Sequence, residues 1–177
     1  MNTLTVPINE RGHLRGSPDA PVVLVEYGDF ECPYCGAAYA VLKKLEKDLP
    51  DTLAVVFRHF PLVNVHPHAQ LAAEAAEAAG AQGRFWRMHD VLFEHQDALA
   101  PADLMKYAIA LQLDLNRFAG DLSGHVFLPK VRDDMQGGLQ SGVQGTPSFF
   151  INGVRHQGGL DESSLLASIM QVAAKPA

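Results

Sequence analysis

The sequence predicts an α/β fold with a mixed central sheet, built in the order βαβ, helical insertion, ββα. Three observations lead to this prediction: a strand–helix–strand pattern over residues 22–59, a stretch almost without strand signals over about residues 66–141, and a strand–turn–strand–helix pattern from residue 147. The length of 177 residues is typical of one domain. We therefore expect a single domain over residues 1–177 that contains the insertion.

The opening unit consists of two apolar segments separated by a helical pattern. Residues 22–27 form a dense apolar run rich in β-branched side chains, which is typical of a buried strand, and residues 53–59 have the same character. A helix is predicted between them, from about Cys32 or Pro33 to about Leu49. Proline is tolerated in the first helical turn, where its missing N–H needs no partner. The three elements together are expected to form a βαβ unit.

The middle of the chain is expected to be helical. Residues 69–79 are rich in alanine, the strongest helix former, and Asp114 is suited to cap a short helix through Phe118. Further helices are predicted from apolar spacing over residues 84–95, 101–111 and, more weakly, 130–139.

The chain returns to β structure near its end. Residues 147–151 are predicted to form a strand, and Asn152-Gly153 is the dipeptide most typical of a two-residue hairpin turn. Residues 154–157 are expected to form the returning strand. Asp161 is placed to cap a final helix, which completes the ββα unit.

Charge and hydropathy argue against two classes of partner. The formal net charge is −6 and the basic residues are scattered, so no nucleic-acid partner is expected, because phosphate binding needs a positive surface. No segment has the roughly 20 apolar residues that cross a bilayer, so no membrane insertion is expected. The residues after Met1 lack the basic start and apolar stretch of a secretory signal. This favours a cytoplasmic location, unless the chain is a mature exported protein with a new start.

The chain contains two cysteines, and both lie in the motif Cys32-Pro-Tyr-Cys35. A disulfide scaffold would have more cysteines, spread along the chain. A Cys-x-x-Cys motif at the start of a helix beside a βαβ unit instead indicates a thioredoxin-like redox site. The alternatives are a purely structural pair or half of a zinc or iron–sulfur site. Such a site needs four ligands, and only histidines such as His66 and His68 could complete it. We expect no metal and no cofactor other than a Cys32–Cys35 disulfide.

The predicted positions give the two thiols different roles. Cys32 would lie at the helix N-terminus, where free N–H groups and the helix dipole stabilise a thiolate, the nucleophilic form. Cys35 would lie one turn further along and be buried, so that it can attack a mixed disulfide on Cys32 and release the product. Elsewhere, Gly145-Thr146-Pro147 leads into a strand, and a proline there marks a tight turn with either a trans or a cis peptide bond.

Four segments together resemble a known family, and they follow one another in the same order across nearly the whole chain. They are residues 26–36 (EYGDFECPYCG), 57–62 (FRHFPL), 85–93 (FWRMHDVLF) and 145–153 (GTPSFFING). They resemble the DsbA-like branch of the thioredoxin superfamily, which has a thioredoxin-like fold with a helical insertion.

The resemblance implies roles for individual residues. Cys32 is implied to be the nucleophile and Cys35 the resolving thiol, while Pro147 is implied to follow a cis peptide bond after Thr146 and to face them. The substrate-binding residues are then Pro33, Tyr34, Thr146 and Pro147.

Glu26 is the third candidate catalytic residue, six positions before Cys32 on the predicted buried strand. An acid at this position in the superfamily often assists proton transfer with the buried cysteine. A glutamate in an apolar run is costly unless it has a partner or a function. The alternative is a carboxylate at the strand end that points to solvent.

Tyr34 departs from the best-known exported oxidant of the family, which has histidine there. The missing cation favours a reductase or isomerase over a strong oxidant. The remaining residues receive structural interpretations: His59 as a hydrogen-bonded residue at the rim, His89 as a surface or packing group, and Trp86 as a core residue.

The predicted function is therefore that of a thiol–disulfide oxidoreductase, which reduces, isomerises or forms disulfides through a mixed-disulfide intermediate. Its expected partners are disulfide-bearing proteins or small thiols, and a thiol electron donor or acceptor. Two alternatives are a kappa-type glutathione transferase or isomerase, which typically carries serine at the position of Cys32 and lacks the second cysteine, and a non-catalytic binding module, such as a regulatory partner of a membrane protein.

Overall fold

The computed structural model describes residues 3–8 and 12–174, and the ends of the predicted domain at residues 1–2 and 175–177 lie outside the described residues. Its centre is one mixed five-stranded sheet in the order β1-β3-β2-β4-β5. The strands are β1 (His13–Arg15), β2 (Val22–Gly28), β3 (Leu53–His59), β4 (Ser148–Ile151) and β5 (Val154–Arg155). Strands β2 and β3 are parallel, and every other neighbouring pair is antiparallel.

One helix lies between β2 and β3, five lie between β3 and β4, and one follows β5. They are α1 (Pro33–Asp48), α2 (Ala69–Gly80), α3 (Phe85–Glu94), α4 (Pro101–Ala110), α5 (Leu115–Ser123), α6 (Leu128–Gln140) and α7 (Glu162–Ala173). The predicted α/β class and the mixed central sheet are confirmed. None of these helices is both long enough and apolar enough to span a bilayer.

Apart from shifts of one or two residues at element ends, the structure differs from the sequence-based elements at β1, β5 and α5. Strand β1 was not predicted, because three residues that pair only with the edge of β3 are too short to produce an alternating pattern. Strand β5 ends at Arg155, so the predicted return through residue 157 is too long. Helix α5 continues past Phe118 to Ser123, although its predicted cap is correct, since the Asp114 carboxylate accepts the N–H of Arg117.

Strand β2 is the centre of the sheet, and it is buried on both faces. Because side chains alternate along a strand, Leu24 and Glu26 share one face and Val25 and Tyr27 the other. The first face packs against α1 and α7. The second contacts Phe60 and the residues around α6.

The hairpin between β4 and β5 turns at Asn152 and Gly153, as predicted. Their φ angles are 45° and 80°, so both residues occupy the left-handed region that a type I′ turn requires. The Asn152 side chain also accepts the N–H of Val23 at 2.7 Å. The following helix α7 begins after Asp161, whose carboxylate accepts the N–H of Ser164 at 3.0 Å. The Asn152 contact therefore adds to the β2–β4 pairing in holding the hairpin beside β2.

Helix α6 approaches the sheet closely because it has no side chain at Gly138. A Cβ atom added there would lie 2.8 Å from a ring atom of Phe60 and 3.0 Å from a ring atom of Tyr27. Both rings are buried. The glycine that weakens the helical pattern of this segment is therefore required for packing.

We predict that Gly138→Ala lowers the free energy of unfolding by about 1–3 kcal/mol, because overpacking against two buried rings outweighs the gain in helix propensity. Gly120→Ala is the matched control, since Gly120 lies inside α5 with nothing within 4 Å of an added Cβ. It should raise the free energy of unfolding by about 0.5–1 kcal/mol. Urea unfolding of the three proteins measures both changes, and equal effects of the two substitutions would contradict the packing argument.

Candidate active site

The two cysteines lie where β2 ends and α1 begins. Cys32 is the N-cap residue of α1, with extended backbone angles (φ −76°, ψ 121°), and Pro33 occupies the first helical position. An N-cap side chain lies close to the free N–H groups of the second and third helical residues. These are the N–H groups of Tyr34 and Cys35, and both interact with the Cys32 sulfur.

This position stabilises the thiolate of Cys32. The largest effect on the pKa of Cys32 is a hydrogen bond from the Cys35 thiol, which lowers it. Burial acts in the opposite direction. Thr146 and the N–H groups of Cys35 and Tyr34 lower the pKa further, to about 5. Cys32 is only 3% exposed as a whole residue. It is therefore a shielded nucleophile, ionised at neutral pH.

Cys35 has the opposite character. It is fully buried, and burial raises the pKa of its thiol far above the ordinary value. The hydrogen bond to Cys32 and the charge of Glu26 act in the same direction. Both cysteines are free thiols in this structure. One turn of helix thus contains a thiolate and a thiol that resists ionisation.

The loop before β4 faces the cysteines. The peptide bond between Thr146 and Pro147 is cis. The Cys32 sulfur lies 3.5 Å from the carbonyl oxygen of Thr146. On the outer side, Pro33 is exposed and Tyr34 is 70% exposed. The structure therefore brings all four predicted substrate-binding residues to the rim of the thiol pair.

Glu26 lies beneath the site and does not point to solvent. It is 2% exposed, on the face of β2 that packs under α1. Burial raises the pKa of Glu26 to about 8, although the charge of Arg15 opposes this shift. Among the described residues, its Oε1 atom has no hydrogen-bond partner. Its charge interacts with both cysteines.

Asp29 and His66 also belong to the site, and the sequence analysis assigned them no role there. The buried Asp29 carboxylate accepts the N–H groups of Glu31 and Leu62 and the Nδ1–H of His66, all at 2.8 Å. Burial disfavours the charge on His66, but Asp29 and the nearby Cys32 raise the pKa of His66 above its ordinary value. His66 therefore carries a positive charge more readily than a free imidazole, in a motif where Tyr34 supplies none. The sequence signal was the His-Pro-His segment, which was considered only as a source of metal ligands.

Two structural interpretations need correction, those of His59 and Trp86, while the packing alternative for His89 is confirmed. His59 is not at the rim: it is 1% exposed, and its Nε2 atom lies 2.8 Å from Glu77. His89 is buried packing, and burial lowers its pKa to about 4. Trp86 is only half-buried: it packs against two apolar clusters, and its indole N–H donates to the Leu14 carbonyl at the edge strand.

One group of side chains has the composition of a metal site. His59, Glu77 and Asp134 place their ligating atoms within 4.8 Å of one another. However, the ammonium group of Lys130 lies 2.6 Å from Asp134 and 3.8 Å from Glu77. The lysine therefore supplies the positive charge that balances these carboxylates.

We predict that Glu26→Gln changes the pH dependence of stability. The folded-state pKa of Glu26 is about 8, above its unfolded value, so the protonated carboxyl contributes stability that is complete below about pH 4.5 and is lost as the pH rises through 8. Glutamine does not titrate. The free energy of unfolding of the reduced variant should therefore rise relative to the wild type between pH 4.5 and 8, by roughly 3–5 kcal/mol. Urea unfolding at several pH values tests this, and a constant difference would refute the assignment.

Comparison with known proteins agrees with this geometry. A family model described as Thioredoxin matches residues 8–171. Among curated proteins, the chain is 50% identical over 167 residues to a protein of Salinispora arenicola named Na(+)/H(+) antiporter NhaA 1. The match covers 94% of this chain but 26% of that protein, so the chain spans about a quarter of the length of this relative.

Several solved structures share the fold. Oxidised BdbD from Bacillus subtilis is 23% identical with a TM-score of 0.88, covering 98% of this chain and 99% of that one. A thioredoxin-like oxidoreductase from Silicibacter pomeroyi is 26% identical with a TM-score of 0.83, covering 96% and 95%. The alpha-DsbA1 protein of Wolbachia pipientis is 21% identical with a TM-score of 0.80, covering 96% and 94%. Since the family model spans almost the whole chain, the chain belongs to the thioredoxin family, and the solved structures share its fold.

Proposed function

We propose that the chain is a thiol–disulfide oxidoreductase that works through Cys32 and Cys35. The observation that carries the proposal is the opposite ionisation of the two thiols, because the pKa of Cys32 is lowered to about 5 while that of the buried Cys35 is raised. A metal-binding or structural pair has no need of this difference. The kappa-type alternative has little support, since both cysteines lie at the same helix start.

In the reducing direction, the Cys32 thiolate attacks one sulfur of a substrate disulfide. A mixed disulfide forms and the first substrate thiolate leaves. Cys35 then loses its proton and attacks the Cys32 sulfur, so that the Cys32–Cys35 disulfide forms and the second substrate thiolate leaves. Two electrons have passed from the dithiol to the substrate, and the reverse sequence forms a disulfide in the substrate.

Glu26 is proposed to exchange the proton of Cys35. The thiol needs an acceptor inside the protein, and Glu26 interacts with it from the buried face of β2. Its pKa of about 8 lies near neutrality, where a group can both accept and return a proton. This supports a role for Glu26 in the resolving step.

The low pKa of Cys32 bears on the direction of electron flow. A stabilised thiolate favours the reduced pair, which makes the couple a better oxidant. Against thioredoxin, whose thiolate has a pKa near 7, a value of about 5 corresponds to a potential roughly 60 mV higher. We therefore propose that the Cys32–Cys35 couple is more oxidising than the absence of a histidine at position 34 suggested. Such a couple is suited to isomerising or forming disulfides. The cytoplasmic location stays a prediction.

The substrates are proposed to be disulfide-bearing proteins or small thiols that contact the exposed Tyr34 and the cis-proline loop. A second candidate function comes from the relatives named Na(+)/H(+) antiporter, of which this chain matches about a quarter. The chain would then be a redox-active module that works beside a cation–proton antiporter. In this case, covalent adducts would be found in the membrane fraction and would contain an antiporter.

We predict that iodoacetamide labels Cys32 with a rate that follows its ionisation, with a midpoint near pH 5, and leaves Cys35 unlabelled. Mass spectrometry after brief labelling from pH 4 to pH 8 measures this. The unfolded protein is the control, because both thiols should then ionise near pH 8.5. Preferential labelling of Cys35 would reverse the assigned roles.

We predict that Cys35→Ser accumulates mixed disulfides, whereas the matched variant Cys32→Ser does not. Without the resolving thiol the covalent intermediate persists, and without Cys32 it does not form. Non-reducing gels of cell lysates reveal the adducts. The wild type should also reduce insulin in the presence of dithiothreitol. Trapping by both variants or by neither, together with no insulin reduction, would favour the non-catalytic binding module.

A further inference from the structure

Gln96 connects the helical insertion to the turn that carries Cys32. It lies between α3 and α4, sixty-four residues after Cys32 in the chain. Its side-chain Nε2 donates to the carbonyl oxygen of Phe30 at 2.9 Å and to that of Cys32 at 2.8 Å. One amide group thus binds the backbone carbonyl groups on either side of Glu31, the residue before the nucleophile Cys32.

Gly36 fits against the same amide. A Cβ atom at position 36 would overlap the Oε1 atom of Gln96 and lie 2.8 Å from its Cδ atom. The N–H of Gly36 also donates to the Cys32 carbonyl at 3.1 Å, so this oxygen accepts one hydrogen bond from α1 and one from Gln96. The first turn of α1 is therefore shaped to receive the Gln96 side chain.

The carbonyl group of Cys32 determines the orientation of the peptide unit between Cys32 and Pro33. Because Pro33 has no N–H, the carbonyl oxygen is the single hydrogen-bonding group of the peptide unit between Cys32 and Pro33. The orientation of this unit determines whether the Cys32 sulfur points at the free N–H groups of Tyr34 and Cys35. A contact that fixes the carbonyl thus also fixes the alignment of the sulfur with the helix N-terminus.

We propose that Gln96 is a positioning residue for the redox pair: its amide locks the Cys32 carbonyl and keeps the Cys32 sulfur aligned with the N–H donors of α1. This inference rests on the proposed function, and it gives the helical insertion a direct influence on the chemistry of the thiols. The donor is neutral, so it holds the turn without placing a competing charge beside the thiolate.

The test uses Gln96→Ala, Gly36→Ala and the double variant. Each single substitution breaks the contact from one side, and each should raise the apparent pKa of Cys32, measured from the ultraviolet absorbance of the thiolate. Each should also shift the equilibrium with glutathione toward the oxidised pair by roughly three- to tenfold, the size of one lost hydrogen bond. The double variant should show shifts in both quantities no larger than those of Gln96→Ala, because the Cβ added at position 36 then occupies the space left by the Gln96 side chain.

Two further variants provide a second disruption of the contact and a matched control. Gln96→Met has a similar volume but neither an N–H donor nor a charge, so it should reproduce the shifts even if the alanine variant folds poorly. His95→Ala is the matched control: the exposed His95 side chain hydrogen-bonds to the Val91 carbonyl in α3 and contacts the Tyr107 ring, so its removal should leave both quantities unchanged.

The outcomes separate the two proposals. Folded Gln96 variants with a wild-type Cys32 pKa and glutathione equilibrium, even if less stable to heat, would overturn the inference while the proposed function stands. Additive effects in the double variant would also overturn it. A wild-type pair that does not exchange with glutathione overturns the proposed function, and the inference with it.

Discussion

The Cys32 sulfur lies at the start of α1, where it interacts with the Cys35 thiol and with the N–H groups of Cys35 and Tyr34, and the chemistry of the site depends on that alignment. The alignment exists because β2, the central strand, ends beneath the first turn of α1 and because Pro33 begins the helix without needing a donor partner. Charge on the sulfur is stabilised without a neighbouring lysine or arginine. A motif with Tyr34 in place of a cation can therefore still ionise its first thiol.

Burial separates the roles of groups that are close in space. Cys35 is three residues from Cys32, yet it faces the core and keeps its proton. Glu26 also retains its proton to an unusually high pH, because desolvation disfavours its charge. The apolar layer between sheet and helix therefore stores a thiol and a carboxyl in their neutral forms directly below an ionised sulfur.

The helical insertion and the loops beside it complete the site. The largest apolar cluster joins both cysteines and Phe30 to residues of α2, α3, α4 and α5, so the insertion covers one side of the motif. Asp29 gathers two backbone N–H groups and His66 around the turn, and Gln96 holds its carbonyl groups. Apart from the N–H of Glu31, these partners come from segments more than thirty residues away in the chain, and each bonds to the short stretch between β2 and α1.

The amino-acid sequence by itself determined the features that depend on local pattern. Apolar runs located β2 and β3, the Asn152-Gly153 dipeptide located the hairpin, and the spacing of the cysteines indicated the redox pair. What only the tertiary structure decided depends on partners distant in sequence: the depth of Glu26, the burial of His59 against Glu77, and the contacts of His66 and Gln96 with the cysteine turn. Periodicity reports which face of an element is apolar, but it contains no information on which remote polar group approaches that face. Burial and pKa arise from that approach, so the raised pKa values of Glu26 and His66 became visible only when the chain was folded.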